Sequence, residues 1–472
     1  MAGRPLPWHR PRANGASALH SAAAALGAAD RGAAAGCGNG FAAAWGGDAV
    51  GLRRAAGDKL CGLADVVGAL PKALVQQGHD ARIVLPNYDA IDHEKYQMKE
   101  TGVSWSVPWL GHSVAATLLE GILPDSSVVV YYIHCPEIFQ TKNFSHKLSG
   151  IYANSDDPAL FRQEVQRFAF FSLVSAHLIN HLPWKPDVVH CHDWHTSLVP
   201  VICQMLGVAH PMVLTIHNLQ NQGRWSPDEF FSWYGWAGQE HPALALRDRL
   251  GNINMLQVGI HTSSVVNTVS PQYAQEILTA EYGEGLEIDL EQKVPPVAGI
   301  LNGIDAQAFN PATDLLVAVH YDHTTWGQGK KQNKKALQQR LSLEADEKKP
   351  LFVSVGRLTP QKGFDLVAEV VPEILAGGGQ VALLGSGLPA VETALKSLAE
   401  KNPHQVSVTL RFDAGLAQQL YAGGDFFLMP SLFEPCGLNQ MYSQAYGTVP
   451  LVSRVGGLVD TVTDINQVKD EG

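Results

Sequence analysis

From about residue 60 the chain alternates short apolar runs with amphipathic stretches of helical period. The runs at 81–85, 128–133, 187–190, 212–216 and 265–269 are rich in Val, Ile and Leu and are bounded by polar residues, Gly or Pro. Each predicts a strand. Helical patterning falls between them, as at 65–77 and 165–180. A second series starts at 351, with strands predicted over 351–355, 381–384, 406–410, 426–429 and 449–452. Such alternation predicts α/β architecture, mostly parallel sheet with helices on both faces. The polar region 311–350, with its Lys-rich stretch 330–335 and helix-like run 333–341, reads as a joint between two doubly wound domains. The expected division is therefore 1–58 as a leader, 59–310 and 351–472 as domains, and 311–350 as a linker.

Residues 1–58 have a different character. They are rich in Ala, Gly and Arg, with no acid before Asp30. A plastid transit peptide is likewise Arg-rich and acid-poor, though this segment has few serines, and a mistranslated or misassembled leader would look much the same.

Composition narrows the function classes. Of 472 residues 46% are hydrophobic, enough for full cores, and the net charge of −11 argues against a nucleic-acid partner. No apolar run reaches the length of a membrane span. The longest, 168–179, is flanked by Arg167 and His181 and reads as a core helix. Six cysteines are scattered without a CxxC pair, as in a reducing compartment. Asn143-Phe144-Ser145 fits the glycosylation pattern, but nothing else suggests secretion.

The chemistry collects at predicted strand ends, where open α/β sheets bind ligands. After 426–429 comes Phe433-Glu434-Pro435-Cys436-Gly437-Leu438, and after 449–452 comes Gly456-Gly457-Leu458. A lone carboxylate for sugar hydroxyls near a glycine turn for a phosphate points to a sugar nucleotide. Arg357 and Lys362 follow 351–355 and suit a diphosphate. Gly385-Ser386-Gly387 could contact the nucleotide or simply turn the chain. In the first half, His190-Cys191-His192-Asp193-Trp194-His195 invites a zinc reading, but neighbouring strand residues point to opposite faces. A polar strand end lining a cleft, with Asp193 as a sugar carboxylate, fits better. His217 ends the next strand. Lys59, beside a glycine turn at a helix start, could bind a diphosphate, but on this motif alone the reading as a surface lysine is favoured. Neither the nucleotide-triphosphate loop nor the dinucleotide glycine pattern is present.

Eight pieces in collinear order resemble the bacterial glycogen synthases and plant starch synthases, glycosyltransferase family 5. They are KLCGLADVVGALPKAL (59–74), DVVHCHDWHTSLVP (187–200), TIHNLQNQG (215–223), NTVSPQYAQEI (267–277), GILNGIDAQAFNPATD (299–314), VGRLTPQKGFDLV (355–367), PSLFEPCGLNQMYSQAYGTVP (430–450) and RVGGLVDTV (454–462). The resemblance implies a GT-B fold, two Rossmann-like domains with a cleft between them. It implies transfer of glucose from ADP-glucose to the non-reducing end of an α-1,4-glucan with retention. ADP-glucose is then a substrate, and neither metal nor cofactor is called for. Asp193, His217, Arg357, Lys362 and Glu434 fall on the family's catalytic positions. Lys59, Gly62, Asp65, Asn302, Cys436, Gly437, Gly456, Gly457 and Leu458 fall on its substrate-binding positions. A soluble enzyme is expected, cytoplasmic in a bacterium or stromal in a plastid. Three departures point to an alternative, an impaired or non-catalytic relative that binds glucan or a synthase partner. Residues 41–58 offer no first strand, Cys61 replaces the first glycine of the Lys59 turn, and the chain stops short of the family's C-terminal helices. A synthase using UDP-sugars is a third reading.

Overall fold

The computed structural model describes residues 40–44, 62–89, 91–140, 158–238 and 240–467. Among the described residues, two large sheets carry the two halves. The first has nine strands in the order β11-β10-β7-β6-β1-β2-β5-β4-β3. These are β1 (Gly40–Ala44), β2 (Asp80–Pro86), β3 (Lys99–Trp109), β4 (His112–Ile122), β5 (Val129–His134), β6 (Val188–His192), β7 (Met212–Ile216), β10 (Val265–Thr268) and β11 (Ala298–Gly299). A separate ribbon pairs β8 (Arg224–Trp225) with β9 (Ile253–Asn254). The second large sheet runs β14-β13-β12-β15-β16, all parallel. Its strands are β12 (Leu351–Val355), β13 (Gln380–Leu384), β14 (Val406–Thr409), β15 (Phe426–Met429) and β16 (Val449–Val452).

The missing first strand is a correction. β1 lies in the middle of the first sheet, parallel to both neighbours, with Gly40 opposite Asp80 and Phe41 opposite Val188. Its Phe-Ala-Ala-Ala run is a poor strand sequence by propensity. Strand preference, however, largely reports packing against neighbours, and this segment has one on each side.

The hairpin β3–β4 was not anticipated. It extends the first sheet in antiparallel sense. Trp105, Val107 and Trp109 are buried while Ser104, Ser106 and Pro108 are exposed, so one face packs and the other is wet. Leu110 and Gly111, both with positive φ, make the two-residue turn. The buried face meets the long helix Pro158–His181, where Phe168, Phe170 and Phe171 are wholly inaccessible. Trp109 contacts Phe170 edge to face, with ring centroids 5.3 Å apart. The apolar run 168–179 is thus a core helix. Among the described residues no helix is long and apolar enough to cross a membrane.

The polar region after Pro311 belongs to the second core. Val317, Tyr321, Leu337 and Leu343 pack with Leu351, Val353 and Leu420. Two lysines of the Lys-rich stretch fix the helix Trp326–Arg340 in place. Lys330 Nζ donates to the Gly424 carbonyl at 2.7 Å, and Lys334 Nζ meets Asp425 Oδ2 at 2.6 Å. Lys334 is only 5% exposed. Its charge is tolerated because a carboxylate and the Glu347 carbonyl receive it.

Candidate active site

In an open parallel sheet a crevice forms where neighbouring strands send their connections to opposite faces. In the second sheet that point lies between β12 and β15. In the first, β1 sits between β2 and β6. The predicted site residues follow these strands.

At the end of β6 the chain turns sharply at Asp193, whose φ is +52°. A left-handed conformation costs a non-glycine residue energy and is kept where the surroundings enforce it. Here Asp193 Oδ1 accepts the amide hydrogens of His217 at 2.6 Å and Asn218 at 3.3 Å. The carboxylate of one strand end therefore fixes the backbone that leaves the next. Burial pushes the Asp193 carboxyl up to about 7, while the His217 and Asn218 amides pull the other way. His217 Nε2 lies 2.9 Å from His192 Nδ1. Burial, and then the neighbouring His190, push His217 down to about 3. His192 is also held well below its ordinary value by burial. Burial thus disfavours the charged form of both rings, and a hydrogen bond joins them. His190 Nε2 meets Thr215 Oγ1 at 2.6 Å, and Thr215 donates onward to Asn267 Oδ1 at 2.8 Å. His195 packs edge to face on Phe168, with ring centroids 4.5 Å apart. Among the described residues no cluster of His, Cys, Asp and Glu is placed to hold a metal ion.

The raised Asp193 value gives a pH prediction. Its folded value, about 7, lies above the ordinary 3.8. The folded state then holds an extra proton between those limits. This residue's contribution to stability therefore falls as pH rises through that window and is flat above it. The slope is about 1.4 kcal/mol per pH unit. Urea titrations at several pH values should show that component in the parent and not in Asp193→Asn.

The donor-side half is assembled by tight loop contact. Gly363, with φ +68°, backs onto the loop after β15, and a Cβ there would stand 2.1 Å from the Pro430 carbonyl oxygen. Leu432 N–H donates to the Gln361 carbonyl at 2.9 Å. This packing delivers Lys362 to Glu434, with Nζ 2.5 Å from Oε2. Ser431 Oγ donates to the same oxygen at 3.1 Å. Glu434 is 6% exposed, so its charge depends on these partners. Arg357 donates to Gln361 Oε1 at 3.1 Å.

The glycine turn also makes contacts that its sequence did not announce. Gly457 N–H donates to the Glu434 carbonyl at 3.0 Å, and Gly456 N–H to Glu276 Oε1 at 2.9 Å. Both amides thus bond protein oxygens and hold the Glu434 loop. Leu458 lies in the second core. Cys436 is buried, and burial pushes its thiol up to about 12, against the pull of hydrogen bonds from Asn302. Gly437 takes φ +72°. Gly62 opens the helix Gly62–Gln76, and Asp65 is half-buried in its first turn. Lys59 and Cys61 lie outside the described residues.

Sequence reasoning missed one part. A shallow pocket lies at the ends of β12, β13 and β14, lined in part by Arg357, Ser386, Arg411, Phe412 and Asp413. Arg411-Phe412-Asp413 follows β14 as Arg357 follows β12, so the strand-end rule contained the signal. Gly385 and Ser386, of uncertain role in the sequence, line this pocket.

Comparison with known proteins gives the following. The family described as starch synthase catalytic domain matches residues 57–292, and glycosyl transferases group 1 matches residues 336–467. The glycogen synthase of Thermotoga maritima is 39% identical over 424 residues, 88% of this chain and 84% of that protein. That of Rhodospirillum rubrum is 39% identical over 416 residues, 86% of this chain and 82% of that protein. The catalytic domain of starch synthase IV from Arabidopsis thaliana, solved bound to ADP and acarbose, is similar with a TM-score of 0.80. It is 31% identical, and the likeness covers 92% of this chain and 86% of that one.

Proposed function

The chain belongs to the starch synthase catalytic domain family and is a GT-B glycosyltransferase that builds glucan; we propose that its donor is ADP-glucose and that the residues gathered at the two strand-end crevices carry the transfer. The observation that carries the reading is the Lys362–Glu434 contact, which sets a cation for phosphate against a carboxylate for sugar. The Arabidopsis relative's ADP and acarbose match a nucleoside-diphosphate donor and an α-glucan acceptor.

Transfer breaks the bond between the glucose anomeric carbon and the ADP oxygen. It forms a bond from that carbon to the acceptor 4-hydroxyl oxygen, and the hydroxyl proton leaves with ADP. Positive charge builds on the sugar and extra negative charge on the diphosphate. Arg357 and Lys362 are placed to meet the second, as fixed charges that need no reorganisation. When the diphosphate takes a share of the Lys362 ammonium, Glu434 is released to the sugar hydroxyls. The pocket beside Arg357, with Phe412 at its wall, suits the base. Asp193 and His217 stand for the sugar on the first domain's side, with Lys59 and Asp65. Arg357 and Lys362 supply the charge in this reading, so it invokes no metal or cofactor.

The test is incorporation of labelled glucose from ADP-glucose into glycogen, with UDP-glucose as competitor. Stoichiometric ADP release with glucan growth, competed poorly by UDP-glucose, is expected. Glycogen binding without turnover would instead favour the impaired relative.

A further inference from the structure

We propose that Glu276 is a positioning residue for the transfer, holding the Glu434 loop at its working distance from the first domain's half of the site. The inference rests on the reading of Glu434 as the sugar-holding carboxylate.

Glu276 ends the short helix Pro271–Glu276, which follows β10 of the first sheet. Its Oε1 accepts the Gly456 amide hydrogen at 2.9 Å across the boundary between the two domains. Gln272 Nε2 donates to the same oxygen at 3.1 Å and so steadies the carboxylate. The adjoining Gly457 amide donates to the Glu434 carbonyl at 3.0 Å. One chain of contacts therefore runs from the first domain, through two successive amides, to the backbone of Glu434.

Other contacts of the same segment make it a bridge. Ser270 Oγ donates to the Pro435 carbonyl at 2.7 Å, immediately beyond Glu434, and accepts from Tyr273 N at 3.0 Å. Gln272 N–H donates to Asp460 Oδ2 at 2.9 Å. On the other side Tyr273 Oη accepts the Leu219 amide hydrogen at 3.2 Å, two residues beyond His217. One segment thus touches the connections that carry His217 and Glu434. It is itself firmly backed, since a Cβ at Gly299 would stand 2.3 Å from the Ser270 carbonyl.

The base pocket and Arg357 lie on other loops, and none of these contacts reaches them. Losing Glu276 should therefore disturb the sugar and spare the nucleotide. The acceptor function needs an oxygen rather than a charge, so glutamine can serve.

The experiment compares Glu276→Ala and Glu276→Gln with the parent, reading kcat for ADP-glucose and the Kd for ADP. A kcat at least tenfold lower in the alanine variant, an ADP Kd within twofold of the parent, and recovery of most of kcat by glutamine are expected. An alanine variant with kcat within twofold of the parent, or an ADP Kd that rises as kcat falls, overturns the proposal. If Glu276→Ala does not fold, Ser270→Ala takes its place with the same expected split. Glu434→Ala, run alongside, separates the two ideas. If it keeps full activity the reading of Glu434 fails; if it is inactive while Glu276→Ala is normal, only the positioning role fails.

Discussion

Exchanging Lys362 for methionine is expected to lower kcat with ADP-glucose about 10²–10³-fold, the usual cost of removing one fixed group that meets charge developing in the transition state. The ammonium lies 2.5 Å from Glu434 Oε2, so the substitution removes two functions at once. The diphosphate loses a cation, and a carboxylate that is 6% exposed keeps only the Ser431 hydroxyl of these two partners. An arginine at 362 should not restore the rate, because its planar fork cannot take the place of a compact ammonium in so short a contact. Initial rates at saturating glycogen, with circular dichroism to confirm folding, make the test. A methionine variant within threefold of the parent would show that Lys362 is not the diphosphate cation.

A single methyl group at Gly456 should do comparable damage without touching a charged residue. Gly456 has φ +44°, and a Cβ there would stand 2.0 Å from the Glu434 carbonyl oxygen. The Glu434 loop must move by about 1 Å to admit it, and misplacement on that scale costs about 10²-fold in rate. Gly378→Ala is the matched control. Gly378 is equally left-handed, with φ +79°, but a Cβ there meets nothing within 4 Å. Both variants should melt earlier than the parent, since both force alanine into the left-handed region. Only Gly456→Ala should lose activity. Equal loss in the two would place the cause in backbone strain rather than in displacement of Glu434.

The second sheet was readable because its strands are short apolar runs, and its central strands β12 and β13 are largely buried on both faces. A fully buried strand such as β13 is, after Gln380, an unbroken apolar run. Strands predicted at 351–355, 426–429 and 449–452 fall on β12, β15 and β16. β1 was hidden for the opposite reason. Its alanines carry no strand signal, and its place is set by β2 and β6, which a local reading does not see. The β3–β4 hairpin carries its signal as a period-two alternation, in Trp105, Val107 and Trp109, unlike the continuous apolar runs of the other strands. The site divides in the same way. Asp193 with His217, and Lys362 with Glu434, each come from consecutive or neighbouring strand ends, so topology alone predicts their meeting. The partners of Gly456 and Gly457 do not follow from topology. That a carboxylate from the other domain would occupy the Gly456 amide depends on how two sheets meet, and nothing in the Gly-Gly-Leu pattern encodes it.

The order of the first sheet also governs how the chain can assemble. β1 leaves the ribosome before the other strands described, yet one of its two neighbours, β6, is separated from it by β2 through β5 and by the long helix Pro158–His181. Pairings between distant stretches are slow to close, because the loop entropy is lost before the contacts repay it. Until β6 emerges, β1 to β5 can form a sheet, but its β1 edge, where β6 joins, stays open to other chains. The second sheet draws all five strands from one compact stretch of sequence and faces no such delay. Aggregation during synthesis is thus a hazard of the first domain, concentrated in the interval between making β2 and making β6.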